Sequence, residues 1–136
     1  MTKSVATKMG TKDNMRSIFV NAPADAIAAI ELPTLDNAVS LTGNFDYIHL
    51  FAHNQAEFHV HFPTLKDHLK KTGTLWVSWP KSGQKGTDLT LTTVIKLGYD
   101  YGLVESRCLS INAVWSALKF THPKKGTIYN NSYGKL

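Results

Sequence analysis

Three short apolar runs constrain this chain most: Arg16 to Asn21, Phe45 to Phe51 and Thr74 to Trp79. Each is rich in β-branched and aromatic residues and is bounded by turn formers, as strands buried on both faces of a parallel sheet are. The intervening stretches have helical character. Pro23 suits a first helical turn, Ala24 to Ile30 are strong helix formers, and Pro33 is expected to end them. Asn54, with Glu57 three residues on, resembles a capping box. Phe58, Phe62, Leu65 and Leu69 then form one helical stripe, in which Pro63 predicts a kink or two short helices. Gly73 is expected to close it, after Lys70 and Lys71 at the negative end of the helix dipole.

The remainder continues the alternation. Pro80 to Gly86 reads as a loop and Thr87 as the cap of a helix whose apolar face is Leu91, Val94 and Ile95, ending near Gly98 or Gly102. Leu103 to Ile111 and Val114 to Thr121 read as a hairpin about Asn112-Ala113. Ala38 to Leu41 is either an irregular edge strand or a loop, because a parallel crossover needs about a dozen residues. The expected fold class is α/β: a compact Rossmann-like, mostly parallel sheet flanked by helices, with an antiparallel C-terminal strand.

Composition narrows the class further. A chain of 136 residues with 43% hydrophobic and 18% charged residues is long enough for one core and reads as a single globular domain. The expected division is a flexible segment over 1–14, an α/β domain over 15–122 and a flexible basic tail over 123–136. The single cysteine, Cys108, allows no internal disulfide and no Cys-rich zinc pattern. It is expected to be inert packing in an apolar strand. With no apolar run of membrane-spanning length and no secretory h-region, the expected location is the cytoplasm. The net charge of +5 resolves into +3 over residues 1–16, +3 over 122–136 and −1 between them. Charge at the ends alone reads as a solubilising fringe, so nucleic acid is not an expected partner.

Two segments carry a resemblance. Leu69-Lys70-Lys71-Thr72-Gly73-Thr74-Leu75-Trp76-Val77-Ser78 resembles the part of class I methyltransferases where a helix ends at Lys-Pro-Gly-Gly and enters a central strand. Trp76-Val77-Ser78-Trp79-Pro80-Lys81, with Trp115-Ser116-Ala117-Leu118-Lys119-Phe120, is similar to a bacterial family of small methyltransferase-like domains whose function is not established. The similarity runs from Met9 to Thr121. It implies a methyltransferase-like fold and very little chemistry. Working methyltransferases need a glycine-rich turn after the first strand and an acidic residue after the second, to hold S-adenosylmethionine. Here the first strand leads into Asn21-Ala22-Pro23-Ala24-Asp25, and no carboxylate stands clearly at the end of the second. No cofactor is therefore expected, and S-adenosylmethionine has no motif to support it. The expected function is non-catalytic binding of a small molecule or a protein partner; the alternative is a methyltransferase with an atypical cofactor site.

In open α/β sheets, ligands bind beyond the carboxyl ends of the parallel strands. That rule selects Asn21, His53, Trp79 and Lys81, and a hairpin arranged as in methyltransferases adds Asn112 and Trp115. Two indoles, a cation, an imidazole and two amides suit a planar or anionic ligand. The competing expectation is that the two tryptophans close the end of the core while Lys81 is solvated. His59 and His61 stand two apart on a helix and point about 200° away from each other, so they cannot share a metal ion. His49, alternating within a strand, is expected to be a hydrogen-bonded core residue. The loop Ser82 to Thr87 is at most a weak phosphate site and matches no Walker A pattern.

Overall fold

The computed structural model describes residues 9–11, 14–30, 35–38, 40–131 and 134–135. In chain order these form β1 (Arg16–Val20), α1 (Ala24–Ile30), β2 (Asp36–Asn37), β3 (Phe45–Phe51), α2 (Gln55–Asp67) and β4 (Leu69–Pro80). A 3₁₀ turn (Lys81–Gly86), α3 (Leu91–Asp100), β5 (Val104–Ser110) and β6 (Trp115–Thr121) follow, then the two-residue strands β7 (Asn130–Asn131) and β8 (Gly134–Lys135). Six strands make one sheet in the order β2-β1-β3-β4-β6-β5. The first four are parallel, and β6 runs antiparallel to both of its neighbours. This is the expected α/β architecture with its antiparallel C-terminal strands. No helix among the described residues is long and apolar enough to cross a membrane.

Period-two alternation divides the core between the two faces of the sheet. Ile48, Leu50, Leu75, Val77, Trp79, Leu118 and Phe120 face α2 and α3, where Phe58, Phe62, Leu65, Val94 and Ile95 meet them. Tyr47, Phe51, Trp76, Trp115 and Ala117 face the other way, toward Ala26 and Ile30 of α1 and the buried Met9. The strands are therefore apolar on both sides, which is why they read as continuous apolar runs.

Helix α2 has its cap where expected. Asn54 Oδ1 accepts from Glu57 N at 2.9 Å, but the Glu57 carboxylate reaches one residue further back, to His53 N at 3.3 Å. Pro63 does not split the segment into two short helices: Gln55–Asp67 is one helix. The carbonyl that loses its donor belongs to His59, which is exposed, so water can replace the missing bond.

Three other boundaries differ from expectation. His68, not Gly73, ends α2, and Leu69 already pairs with Phe45 in β4. The register then jumps from Phe45–Leu69 to Tyr47–Thr74, so Gly73 sits in an irregular bulge. A Cβ there would lie 2.8 Å from the Phe45 carbonyl oxygen, a close approach that only glycine allows. Thr87 closes the 3₁₀ turn, and Thr90 caps α3 by accepting from Thr93 N at 3.2 Å. The second strand is Asp36–Asn37 rather than Ala38 to Leu41, and it is held by the Ser17 hydroxyl donating to Asn37 Oδ1 at 2.6 Å. Val39 and Pro33 lie outside the described residues.

Candidate functional site

Strand order reverses between β1, which is flanked by β2, and β3, which is flanked by β4; crevices beyond strand ends form at such switch points. Asn21 stands at the end of β1 with φ at 59°, a left-handed turn that asparagine tolerates better than most residues. Its side chain turns to α2, where Nδ2 is 3.4 Å from His61 Nε2. The crevice beside it, lined by Phe19, Ala22, Ile27, Asn37 and Ala38, encloses about 260 Å³. That is below the roughly 300–1,000 Å³ of ordinary ligand pockets.

The residues present here do not fit S-adenosylmethionine in the usual mode. A side chain replaces the glycine after β1. β2 ends at Asn37, which pairs with Ser17, three residues short of the end of β1 at Val20. Asp36, the strand's carboxylate, pairs still further back, with Arg16. No described acidic residue thus stands beyond β2 at the level where a ribose would be held.

The other candidates fall into two groups, because β4 places Trp79 and Trp115 on opposite faces. Trp115 pairs with Pro80 and Trp79 with Ser116, so alternation turns the two indoles away from each other. The two-indole cleft expected from the sequence is not formed. Trp115, 1% exposed, packs edge-on against Phe51 and His53, with ring centroids at 5.2 and 5.3 Å. His53 is held by Glu57, whose Oε1 is 3.1 Å from Nδ1. Asn112 is committed to the hairpin turn, its Oδ1 accepting from Val114 N and Trp115 N, both at 2.9 Å. These three residues close the end of the core.

On the opposite face, Trp79 and Lys81 border a cleft of about 410 Å³. Its remaining walls are Leu89, Thr90 and Leu91 at the start of α3, and Cys108 and Ser116 on β5 and β6. Lys81 continues the β4 ladder by donating its N–H to Val114 O at 2.7 Å. Its ammonium donates to Ser110 Oγ, a neutral partner, and no described carboxylate lies within ion-pair distance. The charge at the cleft mouth is therefore uncompensated locally.

Cys108 is exposed, contrary to the expected inert packing. β5 is an edge strand of the sheet, and Glu105, Ser106, Arg107 and Ser110 within it are the sequence signal of that position. Partial burial pushes the thiol up, and the Lys81 charge offsets only part of that. A thiol held above its ordinary range is a poor nucleophile but remains an accessible reporter.

A fully buried polar cluster lies on the α1 face. His49, fully buried, stacks on Phe51 at 4.3 Å, with Tyr47 Oη 2.8 Å from Nδ1 and Ser78 Oγ 2.6 Å from Nε2. The Tyr47 hydroxyl is also 3.8 Å from Met9 Sδ. Either neutral tautomer satisfies both neighbours, Tyr47 and Ser78 donating or accepting accordingly, so an uncharged imidazole is hydrogen-bonded at both nitrogens. Burial drives the His49 pKa down to about 3. Serine and histidine are in proton-transfer geometry here, but both are sealed from solvent, so the chain of hydrogen bonds is structural. The remaining histidines are separately engaged: His59 with Tyr101, His61 with Asn21, His68 with the Gly43 carbonyl and His122 with the Leu69 carbonyl. No cluster of metal-ligating side chains occurs among the described residues.

Comparison with known proteins places this geometry in a class. No protein-family model and no curated protein matches the chain. Solved structures do. The ribosomal protein L11 methylase of Lactobacillus delbrueckii subsp. bulgaricus superposes with a TM-score of 0.59 at 10% identity, over 88% of this chain and 77% of that one. The precorrin-6y C5,15-methyltransferase of Geobacter metallireducens gives 0.57 at 9% identity, over 88% and 86%. A TehB-like SAM-dependent methyltransferase of Corynebacterium glutamicum gives 0.57 at 6% identity, over 90% and 89%. The chain has a methyltransferase-like, Rossmann-like fold. At these identities the likeness is one of fold alone.

Proposed function

We propose that this protein is a non-catalytic methyltransferase-like domain that binds a small amphiphilic anion in the cleft between Trp79 and Lys81. The observation that carries this reading is the pairing, in one cleft of about 410 Å³, of an apolar wall with an uncompensated ammonium. Trp79, Leu89 and Leu91 supply the wall, Lys81 the charge, and Ser116 and Thr90 hydroxyls for orientation. An aromatic or branched-chain carboxylate matches that combination. The competing reading is methyl transfer from S-adenosylmethionine at an atypical site, and the residues at the switch point do not fit that cofactor.

Cys108 supplies the assay. Phenylacetate at millimolar concentration is expected to slow alkylation of Cys108 by iodoacetamide several-fold in the folded protein. Lys81→Ala should abolish that protection without changing the thermal midpoint by more than about 2 °C, since the residue is only half-buried and alanine keeps the backbone bond to Val114. Undiminished protection in Lys81→Ala would remove the lysine from the site, and no protection in the wild type would sink the reading.

A further inference from the structure

A second concavity lies at the opposite end of the sheet, and its chemistry is different. It encloses about 950 Å³ where three segments meet: the last turn of α2, the start of β4 and the chain leaving β6. Lys66, Lys70, Lys71, His122, Lys124 and Lys125 line it, with Asp67 as the acidic member. Five of the chain's fifteen basic residues thus face one groove beside one of its ten acids. A residue count assigns Lys124 and Lys125 to a solvated tail. The fold brings them alongside lysines more than fifty positions earlier in the chain.

These cations differ in what already holds them. Lys66 donates to the Tyr101 carbonyl, Lys70 pairs with Asp46 Oδ1 at 3.0 Å, and His122 is 3.1 Å from the Leu69 carbonyl. These bonds fix the groove's walls. Asp46 is itself secured: burial raises its pKa, but the Arg16 N–H and Lys70 together outweigh that and leave the carboxyl below its ordinary value. Lys71, Lys124 and Lys125 are exposed, and their ammonium groups meet no partner among the described residues. Fixed walls and unpaired charges converging on one space are the makings of an anion site.

We infer that this groove binds a short chain of phosphate groups, free or carried on a nucleotide. Lysine suits it, because an ammonium meets phosphate oxygens as a point charge without imposing a planar geometry. No Phe, Tyr or Trp lines the groove, and its one imidazole, His122, is held against the Leu69 carbonyl, so it offers little stacking platform for bases, and recognition rests on the phosphates. That absence, with charges gathered into a pocket rather than spread along a track, favours an oligophosphate over a nucleic-acid strand.

The test is calorimetric titration of the full chain with tripolyphosphate, ATP, AMP and a 20-nucleotide single-stranded DNA, at low and at physiological salt. Tripolyphosphate and ATP are expected to bind within a few-fold of each other, AMP at least roughly tenfold more weakly, with all affinities falling as salt screens the lysines. ATP binding with no binding of tripolyphosphate would show a base-reading site and overturn the inference. The exposed triple substitution Lys71→Gln, Lys124→Gln and Lys125→Gln should weaken tripolyphosphate at least roughly tenfold while leaving the thermal midpoint unchanged, whereas Lys96→Gln, outside the groove, should change nothing. Undiminished binding by the triple variant would overturn the assignment. So would DNA binding more tightly than tripolyphosphate, which would give the groove to nucleic acid.

Discussion

Lowering the pH from 7 to 4 is expected to remove about 3 kcal/mol of stability through His49 alone. Its folded pKa of about 3 lies below the ordinary value of 6.5, because the fully buried ring cannot be hydrated when charged. A group whose folded pKa is depressed contributes fully above the unfolded value, so this stabilisation is complete at neutral pH. It is lost as pH falls from 6.5 toward 3, where the unfolded chain takes up a proton that the folded one refuses. The Asp46 contribution has the same sign but belongs to a lower window, below its ordinary value of 3.8. Urea unfolding at half-unit pH steps separates the two. His49→Gln should be less stable at pH 7, since Tyr47 and Ser78 lose their shared partner, yet its stability should be nearly flat between pH 6.5 and 4. A wild-type profile that is flat over that interval would contradict the buried, neutral assignment.

Gly98→Ala is expected to be the most damaging single-methyl substitution in the chain. A Cβ at this position would lie 2.0 Å from Phe120 Cε1, and the whole ring edge falls within 2.8 Å. Phe120 is fully buried and packs edge-on against Phe62 of α2, so it has no free space to move into. α3 must therefore shift off the sheet, at a cost of about 3 kcal/mol or more, or a fall of about 10 °C in thermal midpoint. The compensating pair Gly98→Ala with Phe120→Leu tests the cause. If the clash is responsible, the pair should be more stable than Gly98→Ala alone; if it is worse, the glycine matters for another reason.

The parts of the fold legible from sequence were those with a strong local signature. β3, α1 and the start of α2 were read close to their bounds, because runs such as Phe45 to Phe51 and caps such as Asn54 carry their cause within a few residues. Gly73 misled because a glycine after two lysines has the local chemistry of a helix end. Its actual constraint, the approach of the Phe45 carbonyl, comes from a strand far back in the chain. The site was less legible for the same reason. Ordering residues along strands put Trp79 and Trp115 at one edge correctly, but which face each occupies depends on the β4–β6 register, which no local pattern fixes. Cys108 was missed although its polar neighbours Glu105, Ser106, Arg107 and Ser110 carry the edge-strand signal, because Leu103, Leu109 and Ile111 around them suggest an apolar strand. The basic groove was missed because it exists only once residues 122–125 return to the start of β4.

The claim that most needs testing is that ligand binding has moved from the switch point, where a methyltransferase fold would hold its cofactor, to the Trp79–Lys81 cleft. Amide mapping by ¹⁵N NMR tests it directly, with phenylacetate and S-adenosylhomocysteine each added at millimolar concentration. Phenylacetate should shift the signals of Trp79, Lys81, Cys108 and Ser116, and S-adenosylhomocysteine should leave Asn21, Ala22 and Asn37 unmoved. Saturable shifts centred on Asn21, Ala22 and Asn37 with S-adenosylhomocysteine, and none at Lys81 with phenylacetate, would contradict the account.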